Sequence, residues 1–422
     1  GDERVVADET DASMGAPAFS PDSGRVVFVR QQQSTHDAPP DQTLMVVDLA
    51  NGDTAELTPG FDRWPDTPQF DAHGDAVYFL ADDDGHRPIF RVAPGEAPVR
   101  LTATGAYSDV CVAADGSALY ALRSAIDSPP APVRLDPTTP DQHPVALPAP
   151  GAVTTVPGTV RSVDAEAGDG VRVQSWLVLP EGASAESPAP LVLWIHGGPL
   201  MSWNAWSWRW TPWNLAARGY AVLMPNPGLS QGFGQDFVRR GWGAWGAEPF
   251  TDLMAAVDAA IELPEIDASR TAAMGGSFGG YMANWVATQT DRFDAIVTHA
   301  SLWHLDGFVG STDASFHWEK EFGDPLTAPG RYDANSPHRF ADSIVTPMLV
   351  IHGDKDYRVP IGEGLRLWYD LQKREVPSRF LYFPDENHWV LAPGNARVWY
   401  ETVLAFLAEH VLGEAWERPD LL

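Results

Sequence analysis

The run Met274-Gly275-Gly276-Ser277-Phe278-Gly279-Gly280 constrains this chain more than any other stretch. Ser277 stands inside Gly-x-Ser-x-Gly, after the short apolar run Thr271 to Met274 and before the helix-like run Tyr281 to Thr288. Strand, tight turn and helix in that order are what a nucleophile elbow requires. Side chains two positions before and two after the serine would clash in so sharp a turn, which calls for glycine at 275 and 279. The same turn lifts the hydroxyl clear of a sheet and leaves the next backbone N–H free to stabilise an oxyanion. A glycine-rich turn with a serine also occurs without any catalytic role, so the elbow has meaning only with partners.

An α/β-hydrolase places those partners downstream, acid first and then base. The segment Pro347 to Pro360 is an apolar strand entering the polar turn His352-Gly353-Asp354-Lys355-Asp356. The segment Phe380 to Trp389 is another apolar strand, ending in a loop with the single histidine His388. Both deliver polar groups to strand C-termini, where open α/β sheets hold their sites. A serine hydroxyl needs such a base near neutral pH, and a carboxylate fixes the imidazole tautomer and stabilises the imidazolium. Each residue alone reads equally well as an ordinary turn residue. Their order and placement together favour a triad, with Asp354 and Asp356 both open as its acid. Upstream, Leu191 to Ile195 is a buried-type strand running into His196-Gly197-Gly198-Pro199. Glycines there let a backbone N–H approach a substrate oxygen. His196 precedes the nucleophile and reads as a structural hydrogen-bonder. His299, His304, His317 and His338 lack metal-ligand spacing, so neither a metal nor another cofactor is expected.

These segments, with Gly275 to Tyr281, His352 to Pro360 and Glu386-Asn387-His388-Trp389, resemble the prolyl oligopeptidase family of serine peptidases, in its acylaminoacyl-peptidase and dipeptidyl-aminopeptidase-like branch. The similarity covers roughly Val160 to Leu412. The resemblance implies Ser277 as nucleophile, Asp356 as orienting acid (three positions before Val359-Pro360) and His388 as base. It also implies the Gly198 and Phe278 N–H groups as oxyanion hole, and places Arg358 near the specificity pocket. Phe233, Trp206 and Tyr281 are further pocket candidates. Many relatives carry Asn-Pro-Arg-Gly-Ser where this chain has Asn226-Pro227-Gly228-Leu229-Ser230. Some use a tyrosine hydroxyl from this loop, which Phe233 cannot supply. The tryptophans Trp203, Trp206, Trp208, Trp210 and Trp213 read chiefly as packing, and otherwise as an apolar wall for substrate.

Residues 1–155 alternate short β-type runs with Asp/Gly/Pro turns and repeat. Ala16 to Phe28 returns as Thr67 to Phe79 and again as Val110 to Tyr120; Phe19 to Phe70 is 51 positions and Phe70 to Val112 is 42. That spacing matches propeller blades, and Asp-Gly and Ser-Gly pairs offer the positive φ of tight hairpins. About three blades do not close a propeller, which needs about 4–8. We therefore expect an incomplete propeller, the C-terminal part of a longer one, before an α/β-hydrolase domain at 156–422 with a doubly wound, mostly parallel sheet. The missing blades are expected from a separate N-terminal propeller chain, with a homo-oligomer as the other way to cover open edges. Relatives carry a complete propeller that admits short peptides and excludes folded proteins.

The net charge of −29 and pI near 4.6 disfavour nucleic acid and anionic membranes as partners. No run of about eighteen apolar residues is present, and no leader segment is visible. The lone Cys111 reads as a buried small hydrophobe, compatible with the cytoplasm. The expected activity is hydrolysis of short peptides near their N-terminus through an acyl-enzyme. A carboxylesterase or amidase with the same triad is the alternative within hydrolases, and a non-catalytic propeller scaffold the alternative outside them.

Overall fold

The computed structural model describes residues 4–151, 153 and 155–422. The chain divides into two compact units. One comprises Gly1–Thr155, Ser202–Trp208 and Gln231–Arg239; the other comprises Val156–Met201, Arg209–Ser230 and Arg240–Leu422.

In the first unit the sequence repeat becomes three four-stranded antiparallel meanders. They are β1(Ala12–Phe19) to β4(Thr54–Glu56) through β2(Arg25–Gln32) and β3(Asp41–Asp48); β5(Asp66–Phe70) to β8(Val99–Arg100) through β6(Val77–Leu80) and β7(Ile89–Val92); and β9(Ala106–Val112) to β12(Val145–Ala146) through β10(Leu119–Ala125) and β11(Ser128–Leu135). No sheet among them is closed on itself. Each first strand carries a non-glycine residue at positive φ, namely Ala16, Thr67 and Asp109, beside an irregularity in its pairing with the next strand. Those are β-bulges, repeated at matching places in the three meanders. Neighbouring sheets share apolar faces: Val27, Val29 and Leu44 pack with Phe70, Val77 and Phe79, while Tyr78, Leu80 and Ile89 pack with Leu119, Val133 and Leu135.

One expectation changes here, the burial of Cys111. In the hairpins the Asp115-Gly116 pair supplies positive φ on Gly116, at 71°, and the Ser23-Gly24 pair supplies it on Ser23, at 59°. Asp22 makes this possible, because its carboxylate accepts from the Gly24 N–H at 2.9 Å and the Ser20 hydroxyl at 2.6 Å and holds the turn from the side chain. Cys111 is exposed. It alternates along β9 to the side opposite the packed face, which an apolar-looking run does not reveal. The segments 202–208 and 231–239 join this unit through the Ser202 hydroxyl to Asp82 (2.9 Å), the Gln235 N–H to Asp62 (2.7 Å) and the Trp206 N–H to Ser124 (3.1 Å).

The second unit is built on one eight-stranded sheet in the order β13-β14-β16-β15-β17-β18-β19-β20. Its members are β13(Gly158–Glu166), β14(Arg172–Pro180), β15(Ala189–Ile195), β16(Ala221–Pro225), β17(Ile266–Gly276), β18(Ala295–His299), β19(Met348–Gly353) and β20(Ser378–Phe383). β13, β14 and β16 pair antiparallel; from β16 to β20 every pairing is parallel. The inner parallel strands β15, β16, β18 and β19 are buried on both faces, as parallel sheets covered by helices must be. Alternation along β15 shows the two layers. Leu193 and Ile195 enter the core shared with helices Glu248–Ile261 and Phe278–Gln289, whereas Trp194 stacks on Trp399 of helix Pro393–Val411 at 6.5 Å on the other face.

One core cluster carries a titratable group. Trp245 packs edge-on against Phe278, Tyr281, Trp318 and Phe322. Its Nε1–H donates to Glu321 at 2.7 Å, and the same carboxylate oxygen accepts the Gly243 N–H at 2.9 Å. Burial raises the Glu321 pKa to about 7. The native state thus holds a proton that the unfolded chain releases above about pH 4.5, so stability falls as pH climbs through about 7. Glu321→Gln keeps the oxygen that both donors use and removes the ionisation. Urea unfolding at about pH 5 and about pH 8 should show a smaller pH-dependent loss in the variant, by on the order of 2 kcal/mol.

Candidate functional site

Parallel pairing brings five strand ends to one edge of the sheet. The register sets Ile195 beside Gly275, Gly276 beside His299, His299 beside Ile351 and Gly353 beside Phe383. The loops that leave this edge carry His196-Gly197-Gly198, Ser277, Asp356 and His388.

Ser277 sits between β17 and helix Phe278–Gln289 with φ 59° and ψ −122°, a conformation an L-residue holds only when its surroundings impose it. The surroundings are backbone. A Cβ on Gly275 would run into the Gly279 carbonyl, and one on Gly279 into the Ile195 carbonyl. Both elbow glycines are therefore required by close approach. The serine remains partly open to solvent while its neighbours 274, 275 and 278 are buried. Phe278 opens the helix, so its N–H lacks an acceptor within the helix. The β15 loop lies alongside: a Cβ built on Gly197 would stand 3.5 Å from the Ser277 Cβ. Gly198 follows at φ 114°, where a Cβ would come within 2.8 Å of the Leu200 nitrogen. The β15 loop and the first turn of the helix thus both adjoin Ser277. His196 is buried beneath them, its Nδ1 on the Gly197 carbonyl (2.7 Å) and its Nε2 on the Ser230 hydroxyl (2.9 Å). Burial lowers its pKa to about 4, which suits a neutral hydrogen-bonder.

Geometry chooses between the two aspartates. Asp354 is exposed, whereas Asp356 is 2% exposed and its Oδ2 lies 2.7 Å from the Nδ1 of His388. Its other oxygen accepts the Arg358 and Val359 N–H groups at 3.0 and 2.8 Å. These three bonds fix the carboxylate and, through it, the imidazole, leaving Nε2 as the nitrogen available for chemistry. The Asp356 and His388 loops are clasped together: the Lys355 N–H donates to the Glu386 carbonyl at 2.9 Å, and a Cβ on Gly353 would meet the Glu386 and Asn387 carbonyls at 2.6 Å.

The Ser277 and His388 loops meet through His299, whose part in this is invisible in the sequence. Its carbonyl accepts the Ser277 N–H at 3.0 Å, and its Nε2 lies 3.2 Å from the His388 carbonyl. The Trp399 indole N–H, which can only donate, faces Nδ1 at 3.4 Å, so Nδ1 accepts and Nε2–H donates to His388. Burial, with His388 beside it, presses the His299 pKa to about 3 and keeps this tautomer neutral. His299→Phe retains a ring without the donor and should lower kcat on the order of tenfold with little change in KM, since a misplaced base is costly. His299→Gln, whose amide can reach the same carbonyl, should recover part of the loss.

The pocket candidates separate. Tyr281 is fully buried with its hydroxyl on the Asn335 carbonyl at 2.7 Å, so it is a core residue and not a pocket wall. It follows the elbow by one helical turn on the face that enters the core. Arg358 is half exposed and ion-paired with Asp313 at 2.7 Å. Phe233, packed on Phe237 at 5.2 Å, and Trp206, edge-on to Trp208 at 5.1 Å, belong to the first unit. Of the other tryptophans, Trp203 and Trp213 are buried, and Trp210 packs on His299 and Trp399 at 5.2 and 5.1 Å.

Residues 206–414 match the model of the prolyl oligopeptidase family. The chain carries a prolyl oligopeptidase family domain. All three residues of the Ser277, Asp356 and His388 constellation fall inside it. A probable dipeptidyl-peptidase 5 of Emericella nidulans is 33% identical over 421 residues, covering 93% of this chain and 56% of that protein. The dipeptidyl-peptidase 5 of Porphyromonas gingivalis is 28% identical over 399 residues, covering 93% and 58%. The chain therefore spans a little over half the length of these relatives. Among solved structures, the acylaminoacyl peptidase of Pyrococcus horikoshii aligns with a TM-score of 0.81 at 19% identity, covering 96% of this chain and 64% of that one. At that identity the likeness is one of fold, and it assigns the prolyl oligopeptidase domain an α/β-hydrolase architecture.

Proposed function

We propose that this chain is a serine peptidase that releases short fragments from peptide N-termini by a Ser277–His388–Asp356 acyl-enzyme mechanism. The observation that carries it is the 2.7 Å bond from buried Asp356 to His388 Nδ1, at the same sheet edge as the strained Ser277. In this mechanism Ser277 Oγ attacks the scissile carbonyl while His388 Nε2 takes its proton. The tetrahedral oxyanion is held by the Gly198 and Phe278 N–H groups. His388 then gives the proton to the leaving amine, the C–N bond breaks, and the acyl group remains on Ser277. Water, deprotonated by His388, attacks the ester and regenerates the serine.

The names of the relatives favour dipeptide release over acylaminoacyl release. Turnover of dipeptidyl, aminoacyl and acetyl-aminoacyl amides, compared with simple acyl esters, tests the substrate class. Dipeptidyl amides are expected to lead; turnover confined to esters would replace the peptidase with a carboxylesterase. The three meanders read as blades of a propeller completed by further polypeptide, another chain or a second copy, because three four-stranded sheets are too few to close one, which takes about 4–8. Native mass spectrometry of the purified enzyme tests this, and a lone 45.9 kDa monomer in the active preparation contradicts it.

A further inference from the structure

The residue after the base carries an unusual cation. The Arg209 guanidinium lies 4.6 Å above the Trp389 ring, and the Trp389 and His388 rings are 5.0 Å apart at 77°. The guanidinium thus lies on the indole face, and the indole meets the imidazole edge to face. Among the described residues Arg209 makes no ion pair, although acidic side chains outnumber basic ones 57 to 28 in this chain. Arg358, the other arginine of the site loops, is already paired with Asp313. Partial burial lowers the Arg209 pKa with no acid acting against it. Its backbone is fixed as well: the Tyr400 hydroxyl donates to the Arg209 carbonyl at 2.7 Å and accepts the Thr211 N–H at 3.0 Å. Holding a partly desolvated cation without a counter-ion costs free energy, and stacking on an indole recovers only part of it. Trp389 is 45% exposed, so the stack is open to solvent.

We propose that Arg209 on Trp389 is a binding site for the α-carboxylate of the leaving product. The placement follows from proton transfer. His388 must protonate the leaving amine, so an exposed group packed against the His388 ring, as Trp389 is, is placed to meet the leaving residue. A guanidinium there matches a carboxylate with paired N–H donors. Arg209 accordingly selects short peptides whose free C-terminus lies close behind the scissile bond, with a single amino acid as the best leaving product. This inference rests on the triad reading above.

The test compares a tripeptide with the same tripeptide as its C-terminal amide, in the full chain, after fluorophosphonate labelling of Ser277 has been measured on the same preparation. The wild type is expected to favour the free acid about tenfold in kcat/KM, mostly through KM, with the preference shrinking as salt is raised. Arg209→Met, which keeps the stack but not the charge, should bring the acid-to-amide ratio near one. Arg209→Lys should restore part of it. A wild type that labels yet turns over acid and amide alike overturns the proposal. So does an Arg209→Met variant that slows both substrates equally, because that marks a purely structural role. Absence of labelling brings down the triad reading, and this site with it.

Discussion

Ser277→Ala is expected to lower peptide turnover by about 10⁶-fold, the scale at which one member of an interdependent triad removes the function of all. The effect should fall on kcat, with KM nearly unchanged, because the hydroxyl makes its decisive bond only on the way to the tetrahedral state. Stability should change little. The elbow conformation is imposed by the backbone around Gly275 and Gly279 and not by the serine side chain. Residual activity of about 10³-fold over water is expected to survive, supplied by the backbone donors and by substrate binding. Steady-state kinetics with thermal unfolding on the same preparation checks both halves. A variant within tenfold of wild type would remove Ser277 from the mechanism.

The second large effect separates two neighbouring carboxylates. Asp356→Asn should cost about 10⁴-fold in kcat, since an amide NH₂ facing Nδ1 favours the wrong imidazole tautomer. The fold should survive, because the Asn oxygen can still accept the Arg358 and Val359 N–H groups. Asp354→Asn, at an exposed position two residues away, should stay within about twofold of wild type. The opposite ranking would transfer the acid to Asp354 and contradict the geometry of the site.

Much of this site could be read from the sequence because its parts are local. An elbow must show glycine two residues either side of the serine, and a strand must end before a functional loop begins. The strand Leu191 to Ile195 and the helix-like run Tyr281 to Thr288 are equally local, and they fall within β15 and the helix Phe278–Gln289. What stayed hidden depends on contacts between distant segments. The chemistry of the residues alone leaves Asp354 and Asp356 both open, and only the family resemblance favours Asp356; in the fold it is Asp356 that is buried against His388. His299 looks like any strand-end histidine until its carbonyl meets Ser277 and its ring nitrogen meets His388. Tyr281 belongs to a motif with a catalytic association, yet helical phase turns it into the Trp245 cluster. Segments 202–208 and 231–239 lie within the stretch assigned to the hydrolase, yet their hydrogen bonds join them to the first unit, as no composition change announces. Cys111 shows the limit at residue level, where strand phase decides exposure.

The central claim is that Ser277 becomes covalently acylated. Peptide mapping after exposure to a fluorophosphonate tests it most directly. One phosphonyl adduct per chain, on the peptide containing Ser277 and lost in His388→Ala, is the predicted result. An unmodified Ser277 in folded protein, or an adduct on a different serine, would contradict the account.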